Sequence, residues 1–194
     1  MTRLALLRHG HTDWNRAGRI QGRSDIPLDD AARADLAALR LPAPWDRAQL
    51  LASPLSRAMD TARLVAPGRT PRAVPALVEM SWGEWEGQKG AELIEQPGSG
   101  YRHIEDWGWA YRPPGGESPA EMRARLQPWL DGLDGDTVAV AHIGVMRVLL
   151  ALAHGWDFHG PAPFRIKRNR LYVMTRDNGR WQARPEPVRL EPAP

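Results

Sequence analysis

The chain of 194 residues contains no cysteine. That absence excludes disulfides, thiolate metal sites and cysteine nucleophiles, and with them any phosphatase chemistry run through a thiolate. Lysine is nearly missing. Lys89 and Lys167 are the only two, and arginine supplies the rest of the 26 cationic side chains. The arginines are interleaved with 23 acids to a net charge of +3. No dense basic stripe forms beyond a modest cluster at Arg165, Lys167, Arg168 and Arg170, so nucleic acid is not an expected partner. Arginine's planar fork suits bidentate anion binding, although a base-composition bias in the coding genome accounts for its abundance equally well. No apolar run approaches the ~20 residues needed to cross a bilayer, so no membrane partner is expected. There is no Gly-x-x-x-x-Gly-Lys loop for a nucleotide triphosphate, no internal repeat and no linker between two cores. A single domain over residues 1–194 is expected. Met1-Thr2-Arg3 runs straight into a strand with no leader-like apolar region, which points to a cytoplasmic location.

What is present alternates between strand and helix. Residues 3–8 read as a short buried strand ending in Arg8, His9 and Gly10. A long glycine-bearing loop over 9–28 follows, carrying Arg16, Arg19, Gln21 and Arg23; loops of this length in compact domains are usually functional. Asp29 or Asp30 caps a helix over Ala31–Leu39 that Pro42 and Pro44 end. Gln49–Ala52 is a second strand. Ser53 as cap and Pro54 at the first helical position open a helix running to about Val65. Pro71–Leu77 is a third strand weakened by Pro75. Residues 79–116 form an irregular excursion over one end of the sheet, rich in tryptophan. Glu117–Leu133 is helical, 136–142 is the clearest strand, and a helix follows it to about His154. Residues 164–176 read as a strand, and Asn178-Gly179 as a turn. Such alternation implies a layered α/β fold on a mainly parallel sheet.

In such sheets ligands sit at the carboxyl ends of the strands. Three strand–helix junctions place Arg8, His9, Arg57 and His142 there, where first-turn amides and the helix dipole also favour an anion. Each residue has a plain alternative. His9 could be a packed turn histidine, Arg57 a surface partner of Asp60, and His142 a satisfied core histidine. Together, two arginines and two histidines in one crevice describe a phosphate site. A zinc site from His9, His11 and His142 is disfavoured, because the adjacent arginines repel a cation. Among the acids of the tryptophan-rich stretch, Glu79, Glu84 and Glu86 are all candidates for proton transfer.

These motifs resemble those of the histidine phosphatase superfamily, also called the phosphoglycerate mutase-like family. Leu7-Arg8-His9-Gly10-x-Thr12-x-x-Asn15 is similar to its first signature and Ser53-x-x-x-Arg57-Ala58-x-x-Thr61-Ala62 to its second. Glu79-x-x-x-Gly83-x-Trp85-Glu86-Gly87, Pro114-Gly115-Gly116-Glu117-Ser118 and Ala141-His142 complete the series in order. The resemblance implies a three-layer α/β sandwich, with a mixed, mainly parallel sheet between helices. It implies a metal-independent phosphomonoester hydrolase without a cofactor, acting on a small phosphorylated metabolite. His9 would be the nucleophile that becomes phosphohistidine. Arg8, Arg57 and a protonated His142 would hold the phosphoryl oxygens. Glu79 would be the acid and then the base, preferred over Glu84 and Glu86 on family position. Asn15, Thr12, Gln21, Gly22 and Ile143 are expected to line the phosphate or substrate site. A cofactor-dependent phosphoglycerate mutase and a non-catalytic phospho-ligand-binding regulator are the alternatives. A homodimer is left open.

Three positions depart from the pattern. His11 stands where an acid or amide is usual, and Ile143 where glycine is common. The helix near Asp29 lacks a following glycine. Ile143 is expected to narrow the pocket and to resist a positive φ. Residues 88–116 and the loop Arg16–Arg23 are the expected specificity wall. Arg19, Arg23, Arg102 and Arg112 are candidates to read a second anionic group on a sugar phosphate, ribazole phosphate, phosphoglycerate or nucleotide monophosphate.

Overall fold

A computed structural model describes residues 1–194. Its strands are β1 (Thr2–Arg8), β2 (Leu39–Arg40), β3 (Gln49–Ala52), β4 (Arg72–Ala73), β5 (Asp136–Ala141), β6 (Arg170–Asp177), β7 (Arg180–Ala183), β8 (Val188–Arg189) and β9 (Glu191–Pro192). Its helices are α1 (Asp13–Arg16), α2 (Asp30–Ala37), α3 (Ser56–Val65), α4 (Gly90–Glu95), α5 (Pro119–Asp131) and α6 (Ile143–His154). The main sheet runs β4-β3-β5-β1-β6-β7, with β8 also on β6. β4, β3, β5 and β1 are parallel, whereas β6 joins β1 antiparallel. This is the α/β fold with a mixed, mostly parallel sheet.

The period-2 geometry of the strands divides their side chains between two cores. Leu4, Leu6, Ala139, Ala141, Tyr172 and Met174 face one, with α5 and α6. Ala5, Leu7, Val138, Val140, Leu171 and Val173 face the other, with α2 and α3. Both faces are therefore covered, which is why β1 reads as a continuous apolar run. Leu4, Leu6 and Leu7 are wholly buried, each stabilising the sheet by about 1.5–3 kcal/mol. The carboxyl ends of β1, β3 and β5 then open on one edge.

Several sequence expectations need correction. Residues 71–77 give only the two-residue β4, because Pro75 starts a 3-10 turn over Pro75–Leu77. Strand β6 begins at Arg170 rather than 164; Asn169 at φ 57 breaks the extended path before it. The loop 9–28 contains α1, closed by a reciprocal Thr12–Asn15 capping box. The stretch 88–116 contains α4. Ser53 does not cap α3, which starts at Ser56 after an extended Leu55. Asp25 performs that task from the loop, accepting from the Ser56 N–H and hydroxyl at 2.8 Å each. The tryptophans of the excursion are mostly packing: Trp82, Trp85 and Trp107 meet Tyr101, Tyr111 and Phe158 ring to ring.

Candidate active site

The end of β1 carries the central side chain. The His9 N–H donates to the Ala141 carbonyl at 3.0 Å, continuing the β1–β5 ladder past Arg8. The Gly10 N–H donates to the Thr61 hydroxyl, which in turn donates to the Arg57 carbonyl on α3. His9 is thereby fixed between two elements. Its Nδ1 lies 2.7 Å from the Gly10 carbonyl oxygen. A carbonyl only accepts, so Nδ1 carries the proton and Nε2 keeps its lone pair. Burial first, then the charges of Arg57, Arg8 and Arg168, push the His9 pKa well below the usual histidine range. The ring is therefore neutral at neutral pH.

A cleft of about 160 Å³ opens beside it, lined by Arg8, His9, Asn15, Arg19, Ile20, Gln21, Glu79, Trp82 and Ile143. The buried Nε of Arg8 and Nε2 of Gln21 have no hydrogen-bond partner. Buried donors are seldom left so. Burial, with Arg168 and Arg147 adding repulsion, lowers the Arg8 pKa to about 9. A cation under that stress is stabilised by an anion. A larger cleft of about 300 Å³ between Arg40, Val65 and Pro194 holds no such group. There Arg40 and Arg69 already donate to backbone carbonyls.

Of the residues expected at the site, Arg8, His9, Asn15, Gln21, Glu79 and Ile143 line this cleft. Arg57, His142 and Thr12 lie behind it, wholly buried. Gly22 contributes its carbonyl to Arg57 Nη2 at 2.6 Å, and Ser24 its carbonyl to Nη1 at 2.8 Å. Arg57 Nε donates to His142 Nδ1 at 3.2 Å. His142 then donates from Nε2 to the Ser53 hydroxyl at 2.8 Å. That is the neutral tautomer, with a ring centroid 5.1 Å from that of His9. Burial first, then His9 and Arg57, lower the His142 pKa; the protonation expected of it depends on the charge of a bound phosphate.

The expected acid is sharply placed. Glu79 is buried, with Oε1 accepting from the Met80 N–H at 2.8 Å and Oε2 from the Gly144 N–H at 2.9 Å. Burial raises its pKa against those two amides and Arg57. Glu86 is committed elsewhere, accepting from the N–H groups of Arg23 and Ser24 and from the Ser24 hydroxyl. Although burial opposes it, those bonds hold its pKa below the usual range. Glu84 is exposed and does not line the cleft. The Pro114–Ser118 motif supports Glu79 from a distance. Glu117 pairs with Arg125 at 2.7 Å, and Arg125 Nη2 donates to the Val78 carbonyl at 2.7 Å.

Two further corrections concern helix starts. Ile143 opens α6 and is not at positive φ. The demand for glycine falls one place later: a Cβ on Gly144 would sit 2.3 Å from Glu79 Oε1. One first-turn amide each of α3 and α6 is already taken, the Ser56 N–H by Asp25 and the Gly144 N–H by Glu79.

Sequence reasoning missed Arg168. Its Nε donates to the His9 carbonyl at 3.1 Å and its Nη2 to Asn15 Oδ1 at 2.9 Å. Asn15 Oδ1 also accepts from the Thr12 N–H at 3.3 Å. The Asn15 amide therefore faces its oxygen away from the cleft and its Nδ2 toward Gln21, where it donates at 3.2 Å. The basic cluster at 165–170 was the available signal, but its charge density said nothing of direction.

A family model for the histidine phosphatase superfamily (branch 1) matches residues 4–185. The chain belongs to the histidine phosphatase superfamily. Among relatives of this histidine phosphatase, the adenosylcobalamin/alpha-ribazole phosphatase of Salmonella typhimurium is 35% identical over 77% of this chain and 78% of its own. The glucosyl-3-phosphoglycerate phosphatase of Mycobacterium tuberculosis is 33% identical over 77% and 74%. Among solved structures, a putative alpha-ribazole-5'-P phosphatase from Escherichia coli superimposes with a TM-score of 0.78 at 25% identity, over 98% of this chain and 96% of its own. A phosphoglycerate mutase from Thermus thermophilus gives 0.73 at 32% identity, over 97% and 98%. This histidine phosphatase is a phosphoric monoester hydrolase. No group of three or more His, Asp or Glu side chains is arranged to hold a metal ion, and no helix is long and apolar enough to cross a membrane.

Proposed function

We propose that the protein hydrolyses phosphomonoesters of small metabolites in two displacements through a phosphohistidine on His9, with no metal ion. The observation that carries this is a neutral imidazole with a free Nε2 beside Arg8, whose buried Nε has no hydrogen-bond partner in the protein. In the first step the Nε2 lone pair forms a P–N bond as the P–O bond to the alcohol breaks. The Glu79 carboxyl gives its proton to the departing oxygen. In the second, Glu79 takes a proton from water, the new O–P bond forms, and the P–N electrons return to Nε2. Such transfers pass through a loose transition state, so fixed cationic donors contribute most of the acceleration. Arg8, Gln21 and Asn15 Nδ2 serve the equatorial oxygens directly. Arg57 and His142 act from behind His9 in the arrangement described, Arg57 through its charge.

The relatives' names, a ribazole phosphatase and a glucosyl-3-phosphoglycerate phosphatase, support an organic phosphate larger than phosphate itself. With chelator present, 4-nitrophenyl phosphate and a panel of metabolite phosphates are expected to release inorganic phosphate, which a phosphate assay follows. Turnover only with added metal overturns the metal-free reading. Phosphoryl exchange between phosphoglycerates, dependent on a bisphosphate and without hydrolysis, makes the protein a mutase.

Arg168 is a positioning residue in this scheme. The groups facing His9 are Arg8 from β1, Arg57 from α3, His142 at the start of α6, and Arg168 before β6. Arg168→Met removes one of three cations that keep His9 neutral, so the acid limb of kcat/KM moves to higher pH. Arg168→Lys keeps the limb near its original place but raises KM, because a lysine cannot bridge His9 and Asn15 as a fork does. Profiles with unmoved limbs in both variants would show that Arg168 only packs.

A further inference from the structure

Helix α6 is apolar from Val145 to Ala151 except at Arg147. Arg147 is half-buried at the edge of a cleft and makes no hydrogen bond or ion pair with the protein. Glu79 and Tyr101 face it with favourable charge, and Arg8 of the reaction cleft repels it. The Arg147 guanidinium borders a second cleft of about 200 Å³, whose other walls are Ile104, Ile143, Ala162, Phe164, Ile166 and Arg165. Ile143 lines this cleft and the reaction cleft alike. The candidates named from sequence for a second anion do not meet this need. Arg112 is paired with Glu121, Arg102 lies over Tyr111, and Arg23 reaches Glu117; only Arg19 lines the reaction cleft.

Direction matters as well. Glu79 protonates the leaving oxygen, so the alcohol part of a substrate departs on the Glu79 side. Arg147 lies on that side, close enough to feel the Glu79 charge. We propose that Arg147, assisted by the exposed Arg165, is a second anion subsite for the leaving group, so that preferred substrates are phosphomonoesters whose alcohol carries a carboxylate or second phosphoryl group across an apolar span. The apolar walls hold the span, and the lone guanidinium holds the far anion. Ile143, where the family commonly has glycine, is the divider between the two ends and excludes substrates too short to pass it. This rests on the phosphatase reading for its direction, since Glu79 is the acid only there.

The test compares phenyl phosphate, its para-carboxymethyl derivative, the methyl ester of that derivative, and the para-phosphonomethyl derivative. In the wild type, kcat/KM for the carboxymethyl compound exceeds that for its methyl ester by about 10- to 100-fold, the range of a charge-assisted bidentate contact. Arg147→Met brings that ratio to about one, whatever happens to the absolute rates. Arg147→Lys leaves an intermediate ratio, having charge without the fork. The phosphonomethyl arm shows whether carboxylate or phosphoryl is the better match. Removing a half-buried cation that pairs with nothing in the protein leaves Tm unchanged or raised, whereas a structural arginine would lower it. A wild-type ratio near one, or a ratio that Arg147→Met does not change, overturns the subsite. If no ester is hydrolysed, the phosphatase reading fails by itself. Binding of the same compounds, followed by tryptophan fluorescence with Trp82 in the cleft wall, then reads the ratio without turnover.

Discussion

Replacing His9 by alanine lowers phosphate release from any monoester by on the order of 10⁵-fold or more, as loss of the attacking residue does in other covalent hydrolases. The size follows from what disappears. No other unprotonated nitrogen lines the cleft: Asn15 and Gln21 offer amides, and Arg8 and Arg19 are cations. His142 cannot substitute, because both its ring nitrogens are engaged, with Arg57 and Ser53. Water attacking directly would approach phosphorus from the position the ring now fills, without a base poised on that side. The same substitution leaves Arg8 in place, so the variant still binds phosphate. Wild type treated briefly with substrate and quenched in alkali carries a phosphoryl label that acid removes, as expected of a phosphoramidate. His9→Ala carries none. A variant that folds, binds phosphate and retains a tenth of the wild-type rate would sink covalent catalysis at His9 and leave Glu79 to be a simple base for water.

Much of this site was legible because its residues sit where the chain changes from strand to helix. Val138 and Val140 alternate with Ala139 and Ala141, so β5 announces its own end and hands His142 to the edge. Arg57 follows from its place in the first turn of α3. What the sequence could not show was which donors face the cleft and which stand behind it. Arg57 and His142 look equivalent to Arg8 and His9 by junction, yet they are covered. Ser53 looks like a cap because Pro54 follows it, but Asp25 reaches α3 from a loop 31 residues earlier in the chain and frees Ser53 for His142. No local pattern encodes such a contact. The choice among Glu79, Glu84 and Glu86 also needed three dimensions, since it turns on the partners of each carboxylate. Arg147 was passed over in the sequence. An arginine inside an otherwise apolar helix is a signal readable from sequence alone, and its meaning lay in the second cleft.

Glu79→Gln separates substrates by their leaving groups. Glutamine keeps the shape, but its single oxygen can accept from only one of the Met80 and Gly144 amides, so the thermal stability of the variant is measured beside its kinetics. Glutamine has no carboxyl proton to give. An alkyl phosphate, whose alkoxide is a poor leaving group, loses about 10²- to 10⁴-fold in kcat/KM, the usual contribution of a positioned acid. 4-Nitrophenyl phosphate departs as a stabilised phenolate and loses less than about 10-fold in that first step. The pH profile carries the same information. Burial raises the Glu79 pKa, so the carboxyl stays protonated to higher pH than an ordinary glutamate. Activity that requires this acid falls as pH rises through that raised value. Burial and the surrounding arginines lower the His9 pKa, so activity falls again only as pH drops through that lowered value. The wild type therefore gives a bell for alkyl phosphates, and Glu79→Gln removes its basic limb while the acid limb stays. Equal losses on alkyl and aryl esters, with the basic limb retained, would transfer the proton to another group and leave Glu79 as a prop for the start of α6.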